Sequence, residues 1–263
     1  MAELWFIGWG LDDETGLSSR ARAVLRSSSV ILAEEYTSQI SASGLDRLSA
    51  ELGRPILRLT RAELESEAPV RAALETHPRV ALLIGGDPFV ATTHVALRLS
   101  VETWGHTWCY LPNATVLTAV PSLLGLMHYR FGRTVSLPFP APNFAPRSPL
   151  AAIARNLGEG LHTLVLLDLR PEEGRYMPPA DALRMLSAPG DPPPPLTAGT
   201  LAAVVARAGT DQAAAWYGPW EELVGRDFGP PLHAVVVPAP ELHFEEAAAI
   251  ERFRVGAVPR KKG

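Results

Sequence analysis

Short unbroken apolar runs and segments with apolar residues every three or four positions take turns along the first 111 residues of this 263-residue chain. The runs at residues 4–8, 30–33 and 80–84 predict strands, and the segments 18–27, 43–52 and 91–104 predict helices. Strands without polar alternation, separated by helices, predict a largely parallel sheet with both faces covered. A last run, Trp108-Cys109-Tyr110-Leu111, closes this half, and Pro112-Asn113 after it suits a linker. Beyond it strands follow strands more often: residues 134–137, 163–167, 201–206, 213–217 and 233–237, with helices near 115–127, 149–157, 178–186 and 241–253. That order predicts a mixed sheet with antiparallel pairs. The chain therefore reads as two α/β domains, residues 1–112 and 113–263, each long enough to bury a core. Prolines gather at 138–149 and 189–195, and both stretches read as stiff surface loops.

Composition narrows the function classes. No segment approaches the roughly 18–20 consecutive apolar residues of a membrane helix, and Met1-Ala2-Glu3 runs straight into Leu4-Trp5-Phe6-Ile7 without the basic start of a signal peptide. A cytoplasmic, non-membrane protein is expected. A net charge of -4 disfavours nucleic acid as a partner, and the basic run Arg260-Lys261-Lys262 reads as a solvated tail. Cys109 is the single cysteine, so no intrachain disulfide or cysteine metal cluster can form, and in its apolar run it reads as a buried, inert thiol.

Two glycine turns carry the candidate chemistry. In Phe6-Ile7-Gly8-Trp9-Gly10-Leu11-Asp12-Asp13 the third glycine of a dinucleotide fingerprint is replaced by Asp13, and adjacent carboxylates oppose a pyrophosphate. Such a turn suits a ligand that approaches backbone closely and lacks phosphate, S-adenosylmethionine being the commonest nucleoside of that kind; a tight turn with no ligand fits equally well. In Gly85-Gly86-Asp87-Pro88 the glycines permit positive φ, while Asp87 and Pro88 have the grammar of a helix N-cap and first helical residue. Both turns follow predicted parallel strands, whose carboxyl ends are where such sheets bind ligands. His94 could face that cleft, although packing is the simpler reading. No serine-hydrolase elbow and no paired metal-ligand spacing occurs.

A set of blocks in fixed order goes further: Phe6-Ile7-Gly8-Trp9-Gly10-Leu11, Glu35-Tyr36-Thr37-Ser38, Gly86-Asp87-Pro88 with Ala91-Thr92-Thr93-His94, and Gly160-Leu161-His162-Thr163-Leu164 leading to Asp168. Tyr176-Met177, Ala206-Arg207-Ala208-Gly209 and Asp227-Phe228-Gly229 leading to His233 complete it. Together they resemble the diphthine synthase family of the tetrapyrrole-methylase-like methyltransferases over nearly the whole chain. Trp9 in place of an aliphatic residue, Thr115-Val116 in place of Ser-Ile and the proline-rich segment from Ser187 to Thr200 are the departures from the family pattern. The resemblance implies two α/β domains with S-adenosylmethionine in the cleft between them, S-adenosylhomocysteine as product, and a homodimer. It also implies the substrate: translation elongation factor 2, methylated on the amino group of an aminocarboxypropyl-histidine during diphthamide formation. Position by position, it implies cofactor contacts at Leu11, Asp87, Val90, Thr115, Val116, Leu167, Ala208 and His233; it names no catalytic residue. A precorrin C-methyltransferase on the same scaffold is the alternative, and a non-catalytic binding protein a more distant one.

Overall fold

The first-half runs are apolar throughout because the strands they form lie inside a sheet buried on both faces. The computed structural model describes residues 1–34, 40–140, 147–190 and 192–256. Strands β1 (Glu3–Gly8), β2 (Val30–Glu34), β3 (Leu57–Leu59), β4 (Arg79–Ile84) and β5 (Thr107–Leu111) form one sheet in the order β3-β2-β4-β1-β5. Every pairing in it is parallel. Side chains alternate across β4: Val80, Leu82 and Ile84 pack on one face, Ala81 and Leu83 on the other. The first face is covered by α3 (Arg61–Glu65), α4 (Ala68–Thr76) and α5 (His94–Thr103), the second by α1 (Ser19–Ser27) and α2 (Ala42–Leu52). A polar residue in mid-strand would sit in one of two cores, where an unpaired polar group costs about 1–3 kcal/mol on top of the roughly 2 kcal/mol that a buried Leu contributes.

The second half opens with α6 (Val116–Leu124), which ends three residues earlier than its apolar pattern suggests. Gly125 closes it at φ +72°, where a Cβ would lie 2.3 Å from that of Ala249, so only glycine fits. There follow β6 (Val135–Leu137), α7 (Arg147–Gly158), β7 (Thr163–Leu167), the short strands β8 (Leu169–Arg170) and β9 (Arg175–Tyr176), and α8 (Pro179–Ser187). Then come β10 (Leu201–Ala206), β11 (Ala214–Pro219), α9 (Trp220–Leu223), β12 (His233–Val237) and α10 (Phe244–Ile250). The sheet order is β11-β10-β12-β7-β6; only β6 and β7 run parallel, so the sheet is mixed as predicted. The chain divides into two compact units, Met1–Val116 with Arg170–Arg175, and Leu117–Leu169 with the residues from Tyr176 onwards.

One buried polar cluster fastens the second unit. The Glu246 carboxylate, fully buried on α10, accepts from Met127 N at 2.8 Å, His243 N at 3.1 Å and His162 Nε2 at 3.0 Å, and pairs with Arg130. Ala239 N donates to His162 Nδ1 at 2.8 Å, so the ring is neutral with its proton on Nε2. Burial holds the His162 pKa below the ordinary histidine range, and the four donors around Glu246 more than offset the effect of burial on its carboxyl, which stays below the usual range.

Several expectations needed correction. Residues 57–76 carry β3, α3 and α4, none of them predicted. The helix expected from Ala91 begins at His94, and the one expected over 241–253 begins at Phe244. Cys109 is half-buried on the edge strand β5, not buried; its thiol donates to Glu3, and burial, then Glu3, push its pKa up. The block Glu35-Tyr36-Thr37-Ser38, residues 141–146 of the first proline stretch, Asp191 of the second and the tail Arg260-Lys261-Lys262 lie outside the described residues. No helix is long and apolar enough to cross a membrane among the described residues.

Candidate functional site

Because β1 and β4 run parallel in register, Gly8 beside Ile84, the two glycine turns emerge side by side at the carboxyl rim of the first sheet. They are bonded to each other: Trp9 N donates to Ile84 O at 2.7 Å, Gly10 N to Gly86 O at 3.1 Å and Gly86 N to Gly10 O at 2.8 Å. Gly10 and Gly86 both adopt positive φ, +88° and +65°, which the turns require. The buried Trp9 ring braces the first turn from below through Nε1 to Asp12 O at 3.0 Å. Asn113 closes the rim from the far side of β5: its Nδ2 donates to Gly8 O at 2.9 Å and Gly16 O at 3.1 Å. Asp13 does not stand as a bare charge here, since it caps a short turn through Thr15 and pairs with Arg47 at 2.9 Å.

Asp87 is not a cap of α5. That helix begins seven residues later, its N-cap Thr93 makes no side-chain hydrogen bond, and Pro88 to Thr93 form an irregular segment with Ala91 at φ +56°. The Asp87 carboxylate, 6 % exposed, accepts instead from Phe89 N at 3.0 Å, Tyr110 Oη at 2.5 Å and Asn113 N at 3.4 Å. No cation is paired with it among the described residues. Burial, then the carboxylate, push the Tyr110 pKa up to about 12, so the phenol stays a donor. Val90 follows in the same segment, its N–H directed at Asp87 O at 3.3 Å.

His94 is buried, and both groups it meets belong to this rim. Its Nδ1 lies 3.1 Å from Pro88 O and its Nε2 3.1 Å from Glu34 Oε2, and both side chains are buried. A carbonyl can only accept, so Nδ1 carries a proton and the pair ties the Pro88 carbonyl to the end of β2. His94 is thus a packed, hydrogen-bonded residue, the simpler of its two readings.

Leu11, Asp87, Val90, Thr115 and Val116 all follow the carboxyl ends of parallel strands of the first sheet, and register brings them to one rim. Leu167, Ala208 and His233 share a rim of the second sheet. Ala234 pairs with Leu166 and Ala206 with His233, so the end of β7, the start of β12 and the end of β10 lie together. Beside them is a cavity of ≈ 220 Å3 lined by Tyr176, Met177, Asp227, Phe228, Gly229 and His233, among others. The His233 ring meets the backbone of Phe228 and Gly229, and its Nε2 is buried with no hydrogen-bond partner among the described residues. Burial, with Arg207 nearby, outweighs those backbone contacts and lowers the ring's pKa. Arg207, at φ +50°, fixes the facing turn by donating to Phe228 O at 3.2 Å and to Pro230 O.

Sequence reasoning missed Tyr110, Asn113 and Glu34. The only available signals were a tyrosine inside an apolar run and an acid at the end of a buried strand.

Residues 3–224 match the model of the Tetrapyrrole (Corrin/Porphyrin) Methylases. The diphthine synthase of Methanothermobacter thermautotrophicus is 38 % identical over 93 % of this chain and 92 % of its own length. That of Methanoregula boonei is 36 % identical over 95 % and 98 %. Among solved structures, the crystal structure of a diphthine synthase superposes with a TM-score of 0.86 at 31 % identity, covering 96 % of both chains.

Proposed function

Because the chain belongs to the tetrapyrrole methylases, and among them to the diphthine synthases, it is a methyltransferase, and we propose that its methyl donor is S-adenosylmethionine. Its acceptor, in this reading, is the amino group of the aminocarboxypropyl-histidine on translation elongation factor 2. The observation that carries the proposal is likeness to diphthine synthases along almost the entire length of both chains. A homodimer and a cytoplasmic location belong to the same reading.

The residues present suit that donor. On the rim of the first sheet Leu11, Val90 and Val116 offer apolar or backbone surface, Thr115 a hydroxyl and Asp87 an anionic acceptor; on that of the second, Leu167 and Ala208 offer apolar or backbone surface and His233 an imidazole. That mixture, mostly shape with few polar points, is how nucleoside sites are usually made. When bound, S-adenosylmethionine supplies the electrophilic methyl group on its sulfonium, so the protein needs no nucleophile of its own. What the chain contributes is alignment: the glycine turns hold backbone close, and the hydrogen-bonded Asp87 keeps a fixed charge at the rim. No side chain is assigned as a base, because an unprotonated amine attacks without one.

Calorimetry with S-adenosylhomocysteine tests the donor. Saturable one-site binding that is weakened when His233 is replaced by Phe is the predicted outcome, because Phe keeps the ring's bulk and loses its polar nitrogens. Absence of binding by the unmodified protein would contradict the donor assignment.

A further inference from the structure

We propose that Tyr110 is a positioning residue for the methyl donor, acting by holding the Asp87 carboxylate in the orientation in which it meets the ligand. The inference rests on the cofactor reading above. Asp87 is a buried carboxylate whose donors divide unevenly. Oδ1 is fixed by its own segment, through Phe89 N at 3.0 Å. Oδ2 faces Asn113 N at a long 3.4 Å and depends on Tyr110 Oη at 2.5 Å. With no cation beside it among the described residues, the phenol is the strong donor that fixes the second oxygen, and hydrogen bonds to a charged acceptor are the strong class.

The phenol is itself held in place. Tyr110 sits on β5, with its ring 5.0 Å from that of Phe89, and Phe89 lies 5.0 Å from Phe6 and 6.2 Å from Trp108. The Arg98 guanidinium covers both Phe89 and Trp108, 5.6 and 4.9 Å from their centroids. This chain of rings runs from the core strand β1 to the rim and fixes the direction of the hydroxyl before any ligand arrives. Tyr110 is also 37 % exposed, more than its place in an apolar run suggests, so its hydroxyl does not serve to fill the core. A rim carboxylate held by a separate strand is preorganised for binding, since its orientation is fixed before the ligand orders anything.

The test is a double-mutant cycle with Tyr110→Phe and Asp87→Ala, read as the Kd for S-adenosylhomocysteine by calorimetry and as the KM for S-adenosylmethionine. Tyr110→Phe alone should weaken binding about tenfold, the low end of a hydrogen bond to a charged group. It should lower the melting temperature by only a few degrees, the cost of one hydrogen bond from a partly exposed ring. In the Asp87→Ala background the same substitution should change Kd by less than about twofold, since Tyr110 acts through the carboxylate. Equal Kd for Tyr110→Phe and the unmodified protein, or a tenfold loss that persists without Asp87, would overturn the assignment while leaving the cofactor reading intact. No binding by the unmodified protein would overturn both.

Discussion

Asp87→Ala should weaken S-adenosylhomocysteine binding by tenfold or more, about 1.5–3 kcal/mol, while costing only about 1–2 kcal/mol of stability. The asymmetry follows from where the carboxylate sits. Its donors, Phe89 N, Asn113 N and the Tyr110 hydroxyl, lie at the rim of the first sheet, where water can take the place of a lost acceptor. A ligand that depends on an anion there has no substitute. Had Asp87 been a helix cap, its loss would show mainly as about 1 kcal/mol of stability. The helix begins at His94, so that outcome is not expected. Parallel calorimetry and thermal melting separate the two, and unchanged affinity with lowered stability would remove Asp87 from the site.

The largest effect on stability belongs to Glu246. Glu246→Ala strands the His162 Nε2 proton and the Met127 and His243 N–H groups around a fully buried position, while Arg130 loses its ion pair and keeps its bonds to Glu241 O and Gly160 O. Removing one partner of such a buried ionic network costs about 3–5 kcal/mol. Glu246→Gln, which keeps one acceptor oxygen, should lose less. Urea unfolding measures both, and a loss under about 1 kcal/mol in the alanine variant would contradict the network's role. The same cluster sets an acid limit. His162 has a lowered folded pKa, so its contribution is fully present above the unfolded value of about 6.5. It declines as pH falls below that, because the unfolded chain takes up a proton that the folded ring resists.

What was legible in the sequence followed from burial on both faces. Residues 80–84 read as an interior strand because the run is short, apolar throughout and followed by glycines, and the glycine pairs at residues 8, 10, 85 and 86 marked the turns after parallel strands. The resemblance then named positions that register brings to the two rims. What stayed hidden was short or tertiary. β3 is three residues long with two of them exposed, so it has no apolar run to read. Asp87-Pro88 reads locally as the start of a helix, yet tertiary bonds from Tyr110 and Asn113 claim the carboxylate and delay the helix to His94. His94 and Glu34 are 60 residues apart, and no local pattern links them.

The central claim is that this methyltransferase modifies elongation factor 2. Mass spectrometry of elongation factor 2 carrying the unmethylated aminocarboxypropyl-histidine, after incubation with the enzyme and S-adenosylmethionine, tests it directly. The account predicts a gain of whole methyl groups confined to that histidine's side chain. An unchanged mass at saturating cofactor, with a precorrin methylated in its place, would contradict it.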